Sequence, residues 1–198
     1  MKHSLLGQKL VIASHNSGKI SEIIALLSSF EINIVSAKDL HLTEPIENGK
    51  TFYENALIKA KTASKESGLI GLADDSGLCI HALNNRPGIF SARWAGPNKD
   101  FKIAIKKVQT KLQDETVYSA HFICGLSLFW PDGFSEYFEG RVDGNIQFPP
   151  IGNNGFGYDP IFCPDGSKMT FAQLSEKEKN QITHRAKAFK QLSKAYLK

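Results

Sequence analysis

Two adjacent carboxylates, Asp74 and Asp75, interrupt an otherwise uncharged run, Leu69-Ile70-Gly71-Leu72-Ala73 before them and Ser76-Gly77-Leu78 after. Beyond the run, Leu78, Ile80 and Ala82 alternate with Cys79, His81 and Leu83, so the spacing predicts strand, turn, strand. An ionised carboxylate that enters a sheet without a partner loses its hydration, which assigns the pair to the end of the first strand. Ser76 and Gly77 suit a sharp turn, Gly77 because glycine takes positive φ without a steric penalty. Two charges this close call for a divalent cation or a raised pKa on one member, and the competing reading is a solvated Asp-rich loop.

The rest of the chain has to decide between these. With 198 residues, 41% of them hydrophobic, it can build one substantial core in one or two lobes, and residues 1–198 read as a single domain. No run reaches the roughly 18 apolar residues of a membrane span, and the first nine residues hold too short an apolar run for a secretory signal. A cytoplasmic protein without membrane contact is expected. Cys79, Cys124 and Cys163 are too far apart for a thiolate metal site and odd in number, and the six histidines lack zinc-ligand spacing. The net charge of +4 is mild and the lysines are scattered over helix faces, which argues against nucleic acid as a partner.

In chain order, Leu10–Ala13 reads as a short buried strand, and Ile20, Ile23, Ile24 and Leu27 follow at helical spacing. Between them lies Ser14-His15-Asn16-Ser17-Gly18-Lys19. A polar turn ahead of a helix offers free N–H groups and the positive end of the helix dipole, and Lys19 adds a full charge: a phosphate cradle, or an ordinary turn with a surface lysine. Residues 32–35 suggest a second strand. Thr51 and Glu54 have capping-box spacing, and Phe52, Ala56, Ala60 and Ala63 form a narrow apolar stripe on a helix to about Ser67. Lys59, Lys61 and Lys65 are expected on its solvated face. The loop before it carries Glu44 and Glu47, either of which could complete a metal site. Residues 117–130 and 134–142, joined by Pro131-Asp132-Gly133, read as a β-hairpin.

Glycines flank Phe156 in Asn153-Asn154-Gly155-Phe156-Gly157-Tyr158-Asp159-Pro160, leaving its ring room for a planar ligand or, equally, a place capping the core. Asp159 could contact the edge of a base. Ser175 and Glu178 form a capping box opening a last helix with Ile182, Ala186, Phe189 and Tyr196 on its buried side. On an ideal helix Lys179 and His184 point about 140° apart, so they meet different ends of a long ligand unless the first turn bends. Helices alternating with strands, plus a hairpin, give an α/β fold with a mixed central sheet layered with helices.

Six stretches, Ser14–Lys19, Thr51–Ala56, Ala73–Gly77, Pro87–Arg93, Gly155–Pro160 and Thr183–Arg185, together resemble the inosine triphosphate pyrophosphatase family, its bacterial dITP/XTP branch in particular. His15 stands where that family commonly has glycine, Asn153-Asn154 replace a commoner Thr-Gly, and Thr183 a commoner serine. The resemblance implies two lobes around a cleft and a homodimer that hydrolyses dITP, ITP and XTP to the monophosphate and pyrophosphate with Mg2+. It implies that Asp75 is the general base and a metal carboxylate, with Glu47 as the second. Ser14, His15, Asn16, Ser17, Gly18, Lys19 and Ser76 would hold the phosphates, assisted by Lys179. Phe156 would stack on the purine in the loop with Gly157 and Tyr158, while Asp159, His184 and Arg185 would read its edge. The alternatives are a catalytically silent purine nucleotide sensor and a pyrophosphatase for other modified nucleotides.

Overall fold

A computed structural model describes residues 3–198. Its elements in chain order are β1 (Lys9–Ile12), α1 (Ser17–Leu27), β2 (Asn33–Ser36), α2 (Phe52–Ser67), β3 (Ile70–Ile80), β4 (Arg86–Pro87), α3 (Phe101–Lys111), β5 (Ser119–Phe129), β6 (Ser135–Ile146), β7 (Phe162–Pro164), α4 (Glu176–Ile182) and α5 (His184–Tyr196), with short 3-10 turns between them. The hydrogen-bonded strand order is β2-β1-β3-β5-β6-β7, with β4 on β3. Strand β1 runs parallel to β2 and β3, whereas β4 opposes β3 and β7 opposes β6, so the sheet is mixed.

The chain divides into two compact units, each discontinuous in sequence. The first holds the chain up to Asp75 with Cys124–Gly140 and Arg185–Lys198; the second holds Ser76–Ile123 and Arg141–His184. Each has its own apolar core. In the first unit strand alternation splits the core in two: Leu10, Ile12 and Leu72 join Ile23, Leu27 and Phe189, while Val11 and Ala73 on the opposite face join Ala60, Ala63 and Phe129. The second unit packs Leu78, Ile80, Phe122 and Phe162 against Val108 of α3 and Leu112, which caps its end.

Local signals set the ends of α2. The Thr51 hydroxyl accepts from the Glu54 N–H at 3.1 Å, and Gly68 closes the helix in the left-handed region at φ 70°. Its alanine stripe permits close approach to β3. A Cβ added to Gly71 would fall well inside van der Waals contact of the Ala60 carbonyl oxygen.

Two expectations are corrected. The Asp74-Asp75 stretch is not strand, turn, strand: β3 runs unbroken from Ile70 to Ile80 with both carboxylates inside it. Both have charged or polar partners, which removes the penalty that argued against a strand interior. Gly77 serves close packing instead of a turn, since a Cβ there would sit 2.5 Å from Ser91 Oγ. The C-terminal helix is also two helices. Thr183, extended at φ −64° and ψ 158°, ends α4 after seven residues, and α5 starts at His184. The break removes Ile182 from the buried side and leaves it 39% exposed.

Candidate active site

The first unit gathers most of the charge. The turn ahead of α1 begins with Ser14, which is buried and accepts from the Asn16 N–H at 3.2 Å. Asn16 caps α1, its side-chain oxygen accepting from the Lys19 N–H, so Ser17 and Gly18 form the first helical turn. His15 does not take positive φ, so the residue that replaces a family glycine asks nothing unusual of the backbone. Its Nδ1 lies 3.9 Å from the Glu44 carboxylate.

Lys19 reaches from that helix to Asp74, Nζ to Oδ2 3.0 Å, and Arg185 meets the same oxygen at 2.9 Å while pairing with Glu22. Burial pushes the Asp74 carboxyl up, and Lys19, Arg185 and Lys59 outweigh it, holding the group well below the usual carboxylate range. Burial lowers the Arg185 guanidinium, but Asp74, Cys124 and Glu22 together raise it, so it stays charged at 1% exposure.

Asp75, next along the strand, projects from the other face. Its Oδ2 accepts from Asn55 Nδ2 at 3.0 Å, and the Asn55 side-chain oxygen accepts from the Gly49 N–H at 2.8 Å. That chain of bonds ties the acidic loop, α2 and the carboxylate together. Asp75 moves in the opposite direction to its neighbour. Burial raises its pKa, Lys19 and Lys59 pull it down, Glu47 pushes it up again, and the net result is upward.

Lys59 corrects a third expectation. In place of a solvated position it has a side chain 12% exposed and paired with Glu47. Burial lowers its pKa, and Asp75, Glu47 and Asp74 outweigh that and raise it. Lys61 and Lys65 do face solvent.

In the second unit, Ser76 is half-buried on β3. The Gly155–Asp159 loop closes on itself, with Asp159 Oδ2 accepting from the Phe156 N–H at 3.0 Å and from Lys179 Nζ at 2.7 Å. Gly155, at φ 74°, permits this, since a Cβ there would run into the Asp159 carboxylate. Gly157 is also left-handed at φ 71°. Lys179 lies 5.2 Å from the Phe156 ring centre, a cation–π contact. The Tyr158 hydroxyl donates to the Ser91 carbonyl at 2.9 Å. His184, brought round by the break at Thr183, stacks on Phe122 at 4.8 Å and 9°.

The expected set therefore falls into two groups. Ser14, His15, Asn16, Ser17, Gly18, Lys19, Glu47, Asp75 and Arg185 belong to the first unit; Ser76, Phe156, Gly157, Tyr158, Asp159, Lys179 and His184 to the second. Arg185, expected beside His184, turns its guanidinium to Glu22 and Asp74. Three members were not foreseen: Asn55, Lys59 and Glu22. Asn55 and Lys59 are four apart on α2, and Lys19 and Glu22 three apart on α1, spacings that place each pair on one helix face.

A family model described as the Ham1 family matches residues 10–195, nearly the whole chain. The chain belongs to the Ham1 family. Curated relatives of this Ham1 chain include the dITP/XTP pyrophosphatase of Zymomonas mobilis subsp. mobilis, 51% identical over 193 residues, covering 96% of this chain and 92% of the relative. The protein of that name from Rhodospirillum centenum is 51% identical over 189 residues, covering 94% and 93%. Among solved structures, a HAM1 protein from Coxiella burnetii superimposes with TM-score 0.87 at 42% identity over 94% of this chain and 97% of its own. A nucleoside-triphosphatase / dITP/XTP pyrophosphatase from Mycobacterium abscessus gives 0.76 at 40% identity over 93% and 98%. Among the described residues of this Ham1 protein, no helix is long and apolar enough to cross a membrane.

Proposed function

We propose that the chain is a nucleoside triphosphate pyrophosphatase that hydrolyses non-standard purine nucleotides, dITP, XTP and ITP, to the monophosphate and pyrophosphate. The observation that carries the reading is identity of about half over nearly full length to relatives named for dITP and XTP. The site chemistry supports it. Asp75 is a buried carboxylate with its pKa raised, held by Asn55 and beside the Lys59–Glu47 pair, which suits a general base for water.

A divalent cation fits this group. Among the described residues the cluster in the first unit sets four carboxylates, Glu22, Glu47, Asp74 and Asp75, against three cations, Lys19, Lys59 and Arg185, an excess of one negative charge. No three His, Cys, Asp or Glu side chains among the described residues group as a closed metal cage. Magnesium needs none, because it takes one or two protein carboxylates and completes its shell with water and substrate phosphate. Glu47, whose charge reaches Asp75, and Asp75 itself are the carboxylates assigned to it. Bound there, the ion supplies charge neutralisation on the phosphates and a lowered pKa for a coordinated water.

The protein groups then have separate tasks. Asp75 takes the proton of the attacking water, with its rotation fixed by the Asn55 amide. Lys19 and the N–H groups of the first turn of α1 bind phosphate oxygens, with Ser14, His15, Asn16, Ser17 and Gly18 shaping that turn. Ser76 donates to a phosphate and Lys179 adds charge. Phe156 supplies a stacking face, flanked by Gly157 and Tyr158, and a base stacked on an aromatic ring gains roughly 1–3 kcal/mol. Asp159 and His184 read the purine edge. Arg185 is assigned the same task by the resemblance, and its contacts add the anchoring of Asp74. Rejection of adenine follows if donors meet its 6-amino group, leaving buried polar groups unpaired. The enzyme acts as a homodimer in the cytoplasm.

Analysis of the products of dITP hydrolysis tests this. Pyrophosphate and dIMP in equal amounts, lost on adding EDTA and restored by magnesium, is the expected result; inorganic phosphate and dIDP would overturn it.

A further inference from the structure

Of the six stretches that carry the resemblance, Pro87–Arg93 has been given no part in the reaction. At its surface Phe90 is exposed and lies under the Arg93 guanidinium at 4.9 Å. Its middle is different. Ser91 is buried and makes four hydrogen bonds, all inside the second unit, one of them from its N–H to the Gly88 carbonyl at 3.0 Å. Its hydroxyl accepts from the Leu78 N–H at 3.0 Å and donates to the Gly88 carbonyl at 2.6 Å. Its own carbonyl accepts from the Tyr158 hydroxyl at 2.9 Å, across 67 residues of chain.

These partners lie on the two segments that handle the substrate in this unit. Leu78 is two residues past Ser76 on β3, and Tyr158 lies in the Phe156–Asp159 loop. Gly77 lets Ser91 approach so closely, since a side chain there would meet Ser91 Oγ at 2.5 Å. Tyr158 is 2% exposed, its ring edge-on to Phe101 at 5.3 Å, and a phenol so buried requires an acceptor. The loop is also fastened by the bond of Asp159 to Lys179 and, at its start, by Asn154 to the Ala172 and Leu174 carbonyls. Its Tyr158 ring, between those fastenings, is held by Ser91.

We propose that Ser91 is a positioning residue, the pivot through which β3, just beyond Ser76, fixes the loop that carries Phe156. The inference rests on the assignment above of Ser76 to a phosphate and Phe156 to the base. The bonds of one buried residue to Leu78 and Tyr158 set the spacing between phosphate donor and stacking face before any nucleotide arrives. Such preorganisation lowers KM more than it raises kcat, because the loop needs no ordering on binding.

The full-length chain is tested as Ser91→Ala, Tyr158→Phe and the double variant, by two measurements. Amide hydrogen exchange over residues 153–161 reads the fastening without any turnover; Tyr158→Phe, which removes the bond to the Ser91 carbonyl, is expected to speed exchange there by about tenfold, and Ser91→Ala, which keeps that carbonyl but releases it from Leu78 and Gly88, by a comparable factor. Steady-state kinetics with dITP read its use: KM rises about tenfold in each single variant with kcat within about twofold, and the double variant stays within about twofold of the worse single one. Unchanged exchange overturns the pivot. So does KM equal to that of the unmodified enzyme alongside a lowered melting temperature, or effects of the two substitutions that multiply. Failure of the unmodified chain to hydrolyse dITP would instead remove the proposed function and with it the kinetic role of Ser91, while exchange still judges the fastening. Tyr158→Phe removes a single oxygen and keeps the ring, so the test survives if Ser91→Ala does not fold.

Discussion

At the scale of residues, the site turns on two neighbours treated in opposite ways. Asp74 is encircled by Lys19, Arg185 and Lys59 and its pKa falls; Asp75, on the other face of the same strand, is buried beside Glu47 and its pKa rises. A carboxylate locked among cations is a poor proton acceptor, and one whose pKa is raised is a better one, so the proposed function assigns the base to Asp75 and the anchor to Asp74. Asp75→Asn should lower kcat for dITP by about 10²–10⁴-fold with magnesium present while circular dichroism shows the native fold. Turnover near the unmodified level would remove Asp75 from that role. Arg185→Ala should do two things. Leaving Glu22 and Asp74 buried without the guanidinium should destabilise the protein by roughly 3–5 kcal/mol in chemical denaturation. The ratio of dITP to dATP turnover should also fall; a destabilised protein with that ratio intact would confine Arg185 to its anchoring role.

Elements explain how such a cluster is held. The small residues of α2 allow it to lie against β3 with Ala60 on Gly71, and this contact sets where Asn55 and Lys59 stand relative to Asp75 within the first unit. Gly71→Ala should push the helix off the strand, with a loss of about 1–3 kcal/mol in unfolding free energy and a fall in kcat larger than the rise in KM. A variant as stable and active as the parent would show that the contact is not a determinant. The same elements mark what sequence reading reaches. The caps at Thr51 and Ser175 were legible because a capping box is a pair of bonds between residues three apart. The hairpin at Pro131–Gly133 and the helical stripes were legible for the same reason. The continuity of β3 was not. Asp74 and Asp75 are poor strand residues until Arg185 and Asn55, 111 and 20 residues away, become their partners. Lys59 was misplaced on solvent because its carboxylates, too, come from other segments. The break at Thr183 leaves no local mark, having neither glycine nor proline.

For the whole molecule, the chain builds two units with separate cores and assigns them different chemistry, charge clusters in one and an aromatic, glycine-rich loop in the other. The proposed function asks the first to manage phosphates and metal and the second to recognise the base. Its central claim is selectivity for purines with a 6-oxo group that do not belong in nucleic acid. The measurement that tests it most directly is the initial rate of pyrophosphate release from dITP, XTP, ITP, GTP, ATP and dTTP in parallel, each with magnesium and with EDTA. The account predicts metal-dependent release from dITP, XTP and ITP at least about 100-fold faster than from ATP or dTTP, the size of discrimination that unpaired buried donors give. Equal rates across the six nucleotides, or release undiminished by EDTA, would contradict it.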